Sequence, residues 1–167
     1  MKRELNGVLV VDKAPGISSA AIVAKAKRLL KARKAGHTGT LDPFAEGLMV
    51  LCFGKATRLA RFFLHGEKTY EARLRLGIET DTQDSTGRTT AVGKVANLSL
   101  KEISEAFEKY KGTIRQLPPV FSALKHKGEP LYKLARRGKP IQKPAREVRI
   151  YNLEIMGVQL PEIRFRV

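Results

Sequence analysis

Apolar residues in this 167-residue chain come in short runs, long enough for strands and modest helices and far too short to span a bilayer. Gly7 to Lys13 and Leu48 to Phe53 read as buried strands, and Tyr70 to Leu76 alternates like a half-exposed one. Val148 to Met156 and Ile163 to Val167 are strand-like as well. Helical spacing covers Ala20 to Ala32, with Ile22, Val23, Ala26, Leu29 and Leu30 inward, and Ser18 or Ser19 able to cap it. Ala56 to Leu64 reads as a second helix with Leu59, Phe62 and Phe63 inward. Ser99 and Glu102 form a capping box that opens a third, running through Tyr110. Residues 77–87 read as a polar loop. Strands and helices alternate irregularly, without regular βαβ spacing. The predicted class is therefore α+β, a mixed, mainly antiparallel sheet with packed helices in one domain over residues 1–167.

Charge narrows the partners. The chain carries 32 basic and 16 acidic residues, a net of +16. Residues 1–35 hold +7 and residues 111–149 hold +9, so two segments carry the excess. Such segregation points to a polyanion, with nucleic acid favoured over a membrane surface because neither segment adds a large apolar face. The stretch 113–147 is also rich in proline and reads as a long excursion from the core. Cys52 is the single cysteine, so no internal disulfide forms, and it reads as a small buried hydrophobe. The three histidines and one cysteine show no zinc-ligand spacing. No signal-peptide pattern opens the chain. A cytoplasmic, metal-free, monomeric protein without a membrane or protein partner is expected.

The segment Gly36-His37-Thr38-Gly39-Thr40-Leu41-Asp42-Pro43 gathers a carboxylate, a histidine, hydroxyls and flexible glycines between two core elements. It lacks the Gly-Lys-Ser/Thr ending of a phosphate-binding P-loop. On composition alone, Asp42 reads as capping a turn before Pro43.

Gly36 to Pro43, followed by Ala45 and Gly47, resembles the active-site motif of TruB-type tRNA pseudouridine synthases. Four further segments are similar to that family in the same order: Gly7 to Ser19, Lys68-Thr69-Tyr70, Gly77 to Thr82 with Asp84 and Gly87, and Gln116 to Lys125 with Gly128 and Tyr132. Lys13-Ala14-Pro15-Gly16 departs from it by a one-place shift of the proline, and Phe121 stands where tyrosine is commoner. The chain stops at Val167 in apparent mid-strand, which reads as a truncation. By the resemblance, an arginine motif and a small RNA-binding PUA domain would lie beyond it. The 167 residues would then be an incomplete catalytic domain, inactive or nearly so alone.

The resemblance implies an isomerase that converts uridine 55 in the tRNA T-loop to pseudouridine, in a reaction needing no cofactor. It implies Asp42 as the catalytic carboxylate, acting either as nucleophile at C1′ or as base toward a glycal. A target buried in a folded loop must be flipped out. His37 would fill the vacated place, Tyr70 would stack on the uracil, and Tyr151 would line the pocket. Glu46 is assigned to a solvated surface. Phosphates of the T-arm would meet Lys25, Arg28, Lys31, Lys125, Lys127, Arg136 and Arg137. Two readings compete: a fragment that binds the tRNA elbow without chemistry, and a guide-dependent relative acting on ribosomal RNA.

Overall fold

The computed structural model describes residues 3–95 and 97–167. The chain folds as two units, Met1–Lys68 and Thr69–Val167.

The first unit is organised by one central strand. Its elements are β1 (Gly7–Lys13), α1 (Ser19–Leu29), β2 (Ala35–His37), β3 (Gly47–Phe53) and, after a 3₁₀ turn at Gly54–Arg58, α2 (Ala60–Leu64). The sheet order is β1-β3-β2, antiparallel throughout. Period two places Met49, Leu51 and Phe53 on one face of β3, where they form the buried core with Ala32. Ile22, Val23 and Ala26 of α1 pack against that cluster. Each fully buried side chain of this size contributes about 1.5–3 kcal/mol. Cys52 is fully buried in the same strand, as expected, and burial pushes its thiol pKa up.

The second unit contains β4 (Glu71–Arg75), β5 (Ile78–Thr80), β6 (Thr89–Val92), α3 (Leu100–Glu108), β7 (Gly112–Gln116), β8 (Lys125–His126), β9 (Glu129–Pro130), α4 (Leu131–Arg136), β10 (Arg146–Ile150), β11 (Glu154–Gln159) and β12 (Glu162–Arg166). Strands β11-β12-β4 form one antiparallel sheet, while β7–β10, β5–β6 and β8–β9 are two-stranded. Ile163 and Ile103 are buried, and Phe107 of α3 meets Phe165 of β12 edge to face at 5.5 Å. The Ser99–Glu102 capping box is present in full and starts α3. No helix among the described residues is long and apolar enough to cross a membrane.

The α+β class and antiparallel bias hold, but among the described residues as five small sheets rather than one. Several local expectations need correction. β1 is an edge strand bonded only to β3, so Val8, Leu9 and Val10 are exposed rather than buried. Leu29 and Leu30 end α1 beyond the reach of the core and are exposed too. The second predicted helix is split by the 3₁₀ turn, and Leu59, Phe62 and Phe63 face outward. β4 alternates in sequence but is exposed along its whole length, because it edges its sheet. The polar segment 77–87 is not all loop, since Ile78–Thr80 pairs with Thr89–Val92 to make a hairpin. The predicted strand at 148–156 breaks at residues 151–153 into β10 and β11. The excursion is shorter than expected: its ends are the paired strands β7 and β10, leaving residues 117–145 outside the ladder.

Candidate active site

The connection between β2 and β3, residues 38–46, carries Asp42. Its physical signature is buried polarity. Among the described residues, the buried polar side chains are Lys13, Ser19 and Thr38, and all three belong to or grip this connection. Burying such groups is unfavourable unless they are bonded, so their concentration marks where the fold spends stability on geometry.

Lys13 ends β1 fully buried. Its Nζ donates to the carbonyls of Ala14 (3.1 Å), Ile17 (2.8 Å) and Pro43 (3.1 Å), one for each ammonium proton. The Gly16 amide donates to the same Pro43 carbonyl at 2.8 Å. Gly16 has φ +84°, the left-handed position that a Pro-Gly turn reserves for glycine. The shifted proline thus still makes a tight turn. On the other side of Asp42, the Ser19 hydroxyl donates to the Leu41 carbonyl at 2.7 Å and accepts from the Leu41 amide at 2.9 Å. Ser18, not Ser19, caps α1, accepting from the Ala21 amide.

Asp42 itself is exposed. The expected turn exists, with the Ala45 amide donating to the Asp42 carbonyl at 3.1 Å. It is the backbone oxygen that serves the turn. Among the described residues of this unit, no hydrogen bond or ion pair uses the Asp42 carboxylate, which is left available to a ligand. His37 ends β2 opposite Leu51, half-buried, with an Nδ1 that is buried and unpartnered among the described residues. Glu46 is exposed, as assigned.

Tyr70 and Tyr151 belong to the second unit. Tyr70 exchanges two backbone hydrogen bonds with Val167 just ahead of β4 and is 46% exposed. Tyr151 follows β10 with its ring exposed and the Arg149 guanidinium 5.2 Å from its centre. Of the predicted phosphate contacts, Lys25 and Arg28 lie exposed on α1, with Lys31 just beyond it. Lys125 and Lys127 are exposed on the β8–β9 hairpin, and Arg136 lies over the Tyr132 ring at 5.6 Å. Arg137 is committed to Glu129, which raises the arginine's pKa through that hydrogen bond while its own falls. Its charge is therefore partly spent inside the insertion. An open cleft of about 470 Å³ in the same unit, lined by Ser104, Phe107, Lys111 and Asn152 to Ile155, contains none of the predicted site residues.

Sequence reasoning missed Lys13 and Ser19 as parts of the site. Lys13 had one usable signal, a cation ending an apolar run before a Pro-Gly turn. Ser19 had none beyond its candidacy as a cap.

Residues 27–167 match the TruB family pseudouridylate synthase N-terminal domain. The chain is 45% identical over 164 residues to tRNA pseudouridine synthase B of Francisella philomiragia, covering 98% of this chain and 54% of that protein. The enzyme of the same name from Francisella tularensis subsp. novicida is 44% identical over the same shares. The chain thus spans about half the length of the curated relatives it matches. A chain from the crystal structure of a Cbf5-Nop10-Gar1 complex aligns at TM-score 0.68 and 29% identity, over 96% of this chain and 38% of that one. A chain from an H/ACA RNP bound to a substrate RNA containing 2′-deoxyuridine aligns at TM-score 0.63 and 26% identity, over 96% and 36%. With the domain matched from within α1 to the last residue, this chain belongs to the TruB family of pseudouridylate synthases.

Proposed function

We propose that these 167 residues are the catalytic part of a tRNA pseudouridine synthase that isomerises uridine 55 of the T-loop, with Asp42 as its reactive carboxylate. The observation that carries this reading is a carboxylate free of structural duty on a loop held firmly on both sides of it. The greater identity to tRNA pseudouridine synthase B, 45% against 29% for the chain from the Cbf5-Nop10-Gar1 complex, supports a tRNA enzyme.

The reaction breaks the bond from uracil N1 to C1′ and forms one from C5 to C1′. N1 gains a proton and C5 loses one, so electrons balance without redox and nothing is added to the RNA. A glycosidase needs a second carboxylate to activate water, whereas here the base is retained. Asp42 serves either as nucleophile at C1′ or as base on the sugar. The uridine is flipped from its stack, His37 takes its place, and Tyr70 and Tyr151 receive the base. Lys25, Arg28, Lys31, Lys125, Lys127 and Arg136 hold phosphates and position the T-arm, with Arg137 contributing less because Glu129 holds it. The enzyme acts in the cytoplasm, where unmodified tRNA is available, as a monomer.

The test is release of hydrogen from C5 of T-arm RNA labelled at uridine 55, using protein made from the complete reading frame. Asp42→Asn should lower turnover by roughly 10³-fold or more while RNA affinity changes little. Equal turnover by the variant, or no release by the wild type, would leave only an RNA-binding fragment.

A further inference from the structure

Asp42 lies between two anchors, and they differ in kind. On the Pro43 side the carbonyl has two donors, the Lys13 ammonium and the Gly16 amide. On the Leu41 side one hydroxyl makes both backbone hydrogen bonds. Ser19 is 2% exposed at the first position of α1, where Ser18 has already taken the capping role. Its Oγ engages both backbone groups of Leu41, 22 positions away. Between the Thr38 amide, bonded to Val50 at 3.1 Å, and the Asp42 carbonyl, no other backbone hydrogen bond fixes the loop among the described residues. The Leu41 side chain packs against the core, so its Cα is held from two directions.

We infer that Ser19 is a positioning residue for Asp42: by holding the amide and carbonyl of Leu41, its hydroxyl sets the direction in which the carboxylate leaves the loop. The inference rests on the proposed role of Asp42. A hydroxyl is the smallest side-chain group that both donates and accepts, and alanine can do neither. Without it, rotation about the Leu41–Asp42 backbone swings the carboxylate, and a displacement near 1 Å at a reacting group costs up to about 10²-fold in rate. RNA affinity should be spared, since Ser19 is buried and touches no predicted phosphate contact.

The experiment compares wild type, Ser19→Ala and Ser19→Thr, each made from the complete reading frame, on T-arm RNA labelled at C5. Ser19→Ala should lower kcat by about 30- to 100-fold with KM within about threefold. Ser19→Thr, which keeps the hydroxyl, should recover most of that loss. Amide hydrogen exchange supplies a readout independent of turnover: Leu41, whose amide donates to Ser19, should exchange at least about tenfold faster in Ser19→Ala, while Leu51 in β3 stays protected. A kcat within about threefold of wild type overturns the inference. So does a loss confined to KM, or exchange at Leu51 rising in step with Leu41, which marks general loosening. An inactive wild type overturns the reading of Asp42 and this inference together; an active wild type with an unimpaired Ser19→Ala variant overturns the inference alone.

Discussion

Two loops in this chain look alike in sequence, and their aspartates are placed in opposite ways. Residues 38–46 and 81–87 both combine Thr, Gly and Asp between short strands. In the second, Asp84 holds its own turn: its Oδ1 accepts from the Thr82 hydroxyl (2.8 Å), the Thr86 amide (2.8 Å) and the Thr86 hydroxyl (2.6 Å). Burial raises the Asp84 pKa, but these bonds, with help from the Gly87 amide, outweigh it and leave the carboxyl below its ordinary value. Gly87 is required there, since a Cβ would lie 2.2 Å from the Thr82 hydroxyl and 2.6 Å from Asp81 Oδ1. In the first loop the geometry is imposed from outside, by Lys13 and Ser19, and the Asp42 carboxylate has no part in it. A self-satisfied carboxylate maintains a turn; one held in place by others is left available to react.

The widest contrast should appear when both aspartates are neutralised. Asp42→Asn should cost roughly 10³-fold or more in turnover and shift Tm by no more than a degree or two. Asp84→Asn should do the reverse, lowering Tm by several degrees with kcat nearly unchanged. Parallel C5-release assays and thermal melts check both. Matching stability losses in the two variants would break the comparison.

Lys13→Met tests whether the Asp42 loop is held from outside. The methionine fills a similar volume but leaves the Ala14 and Ile17 carbonyls without their donor, and Pro43 with only the Gly16 amide. A fully buried acceptor left unmet costs about 1–3 kcal/mol, these carbonyls are only part-buried, and the charge's own desolvation penalty is recovered, so a net loss of about 1–2 kcal/mol is expected. Urea unfolding measures it. A neutral result would mean the loop keeps its shape without the clamp.

These contrasts also explain what was legible beforehand. The α+β class, the core strand with Cys52 and the capping box at Ser99–Glu102 depend on local period and local bonding, which sequence displays. Exposure was misread wherever it depended on sheet order: β1 has a buried strand's composition but sits on an edge, so Val8 and Val10 face out. Asp42 was singled out only through the resemblance of a whole motif, because its composition equally described a capped turn. The clamps were not legible, since Ser19 and Leu41 are 22 residues apart and either serine could have capped α1.

The smallest effect tests the other half of the comparison. Because the folded pKa of Asp84 is depressed, its stabilising contribution is fully present above the ordinary aspartate value of 3.8 and is lost as pH falls through the lower, folded value. Wild type should therefore lose stability on acidification below about pH 4 more steeply than Asp84→Asn, which has nothing to titrate there. Glu102, held below its ordinary value first by the Ser99 hydroxyl and then by the Ser99 amide, adds a decline of the same sign in both proteins. The difference between the two curves, not the decline itself, is thus the measurement. Urea midpoints taken from pH 6 down to pH 3 should keep a constant gap until the acid end and converge there, closing a fraction of the Asp84→Asn effect seen at neutral pH. Curves that stay parallel throughout would mean that Asp84 does not hold its turn through its charge, and the distinction between the two loops would then rest on Asp42 alone.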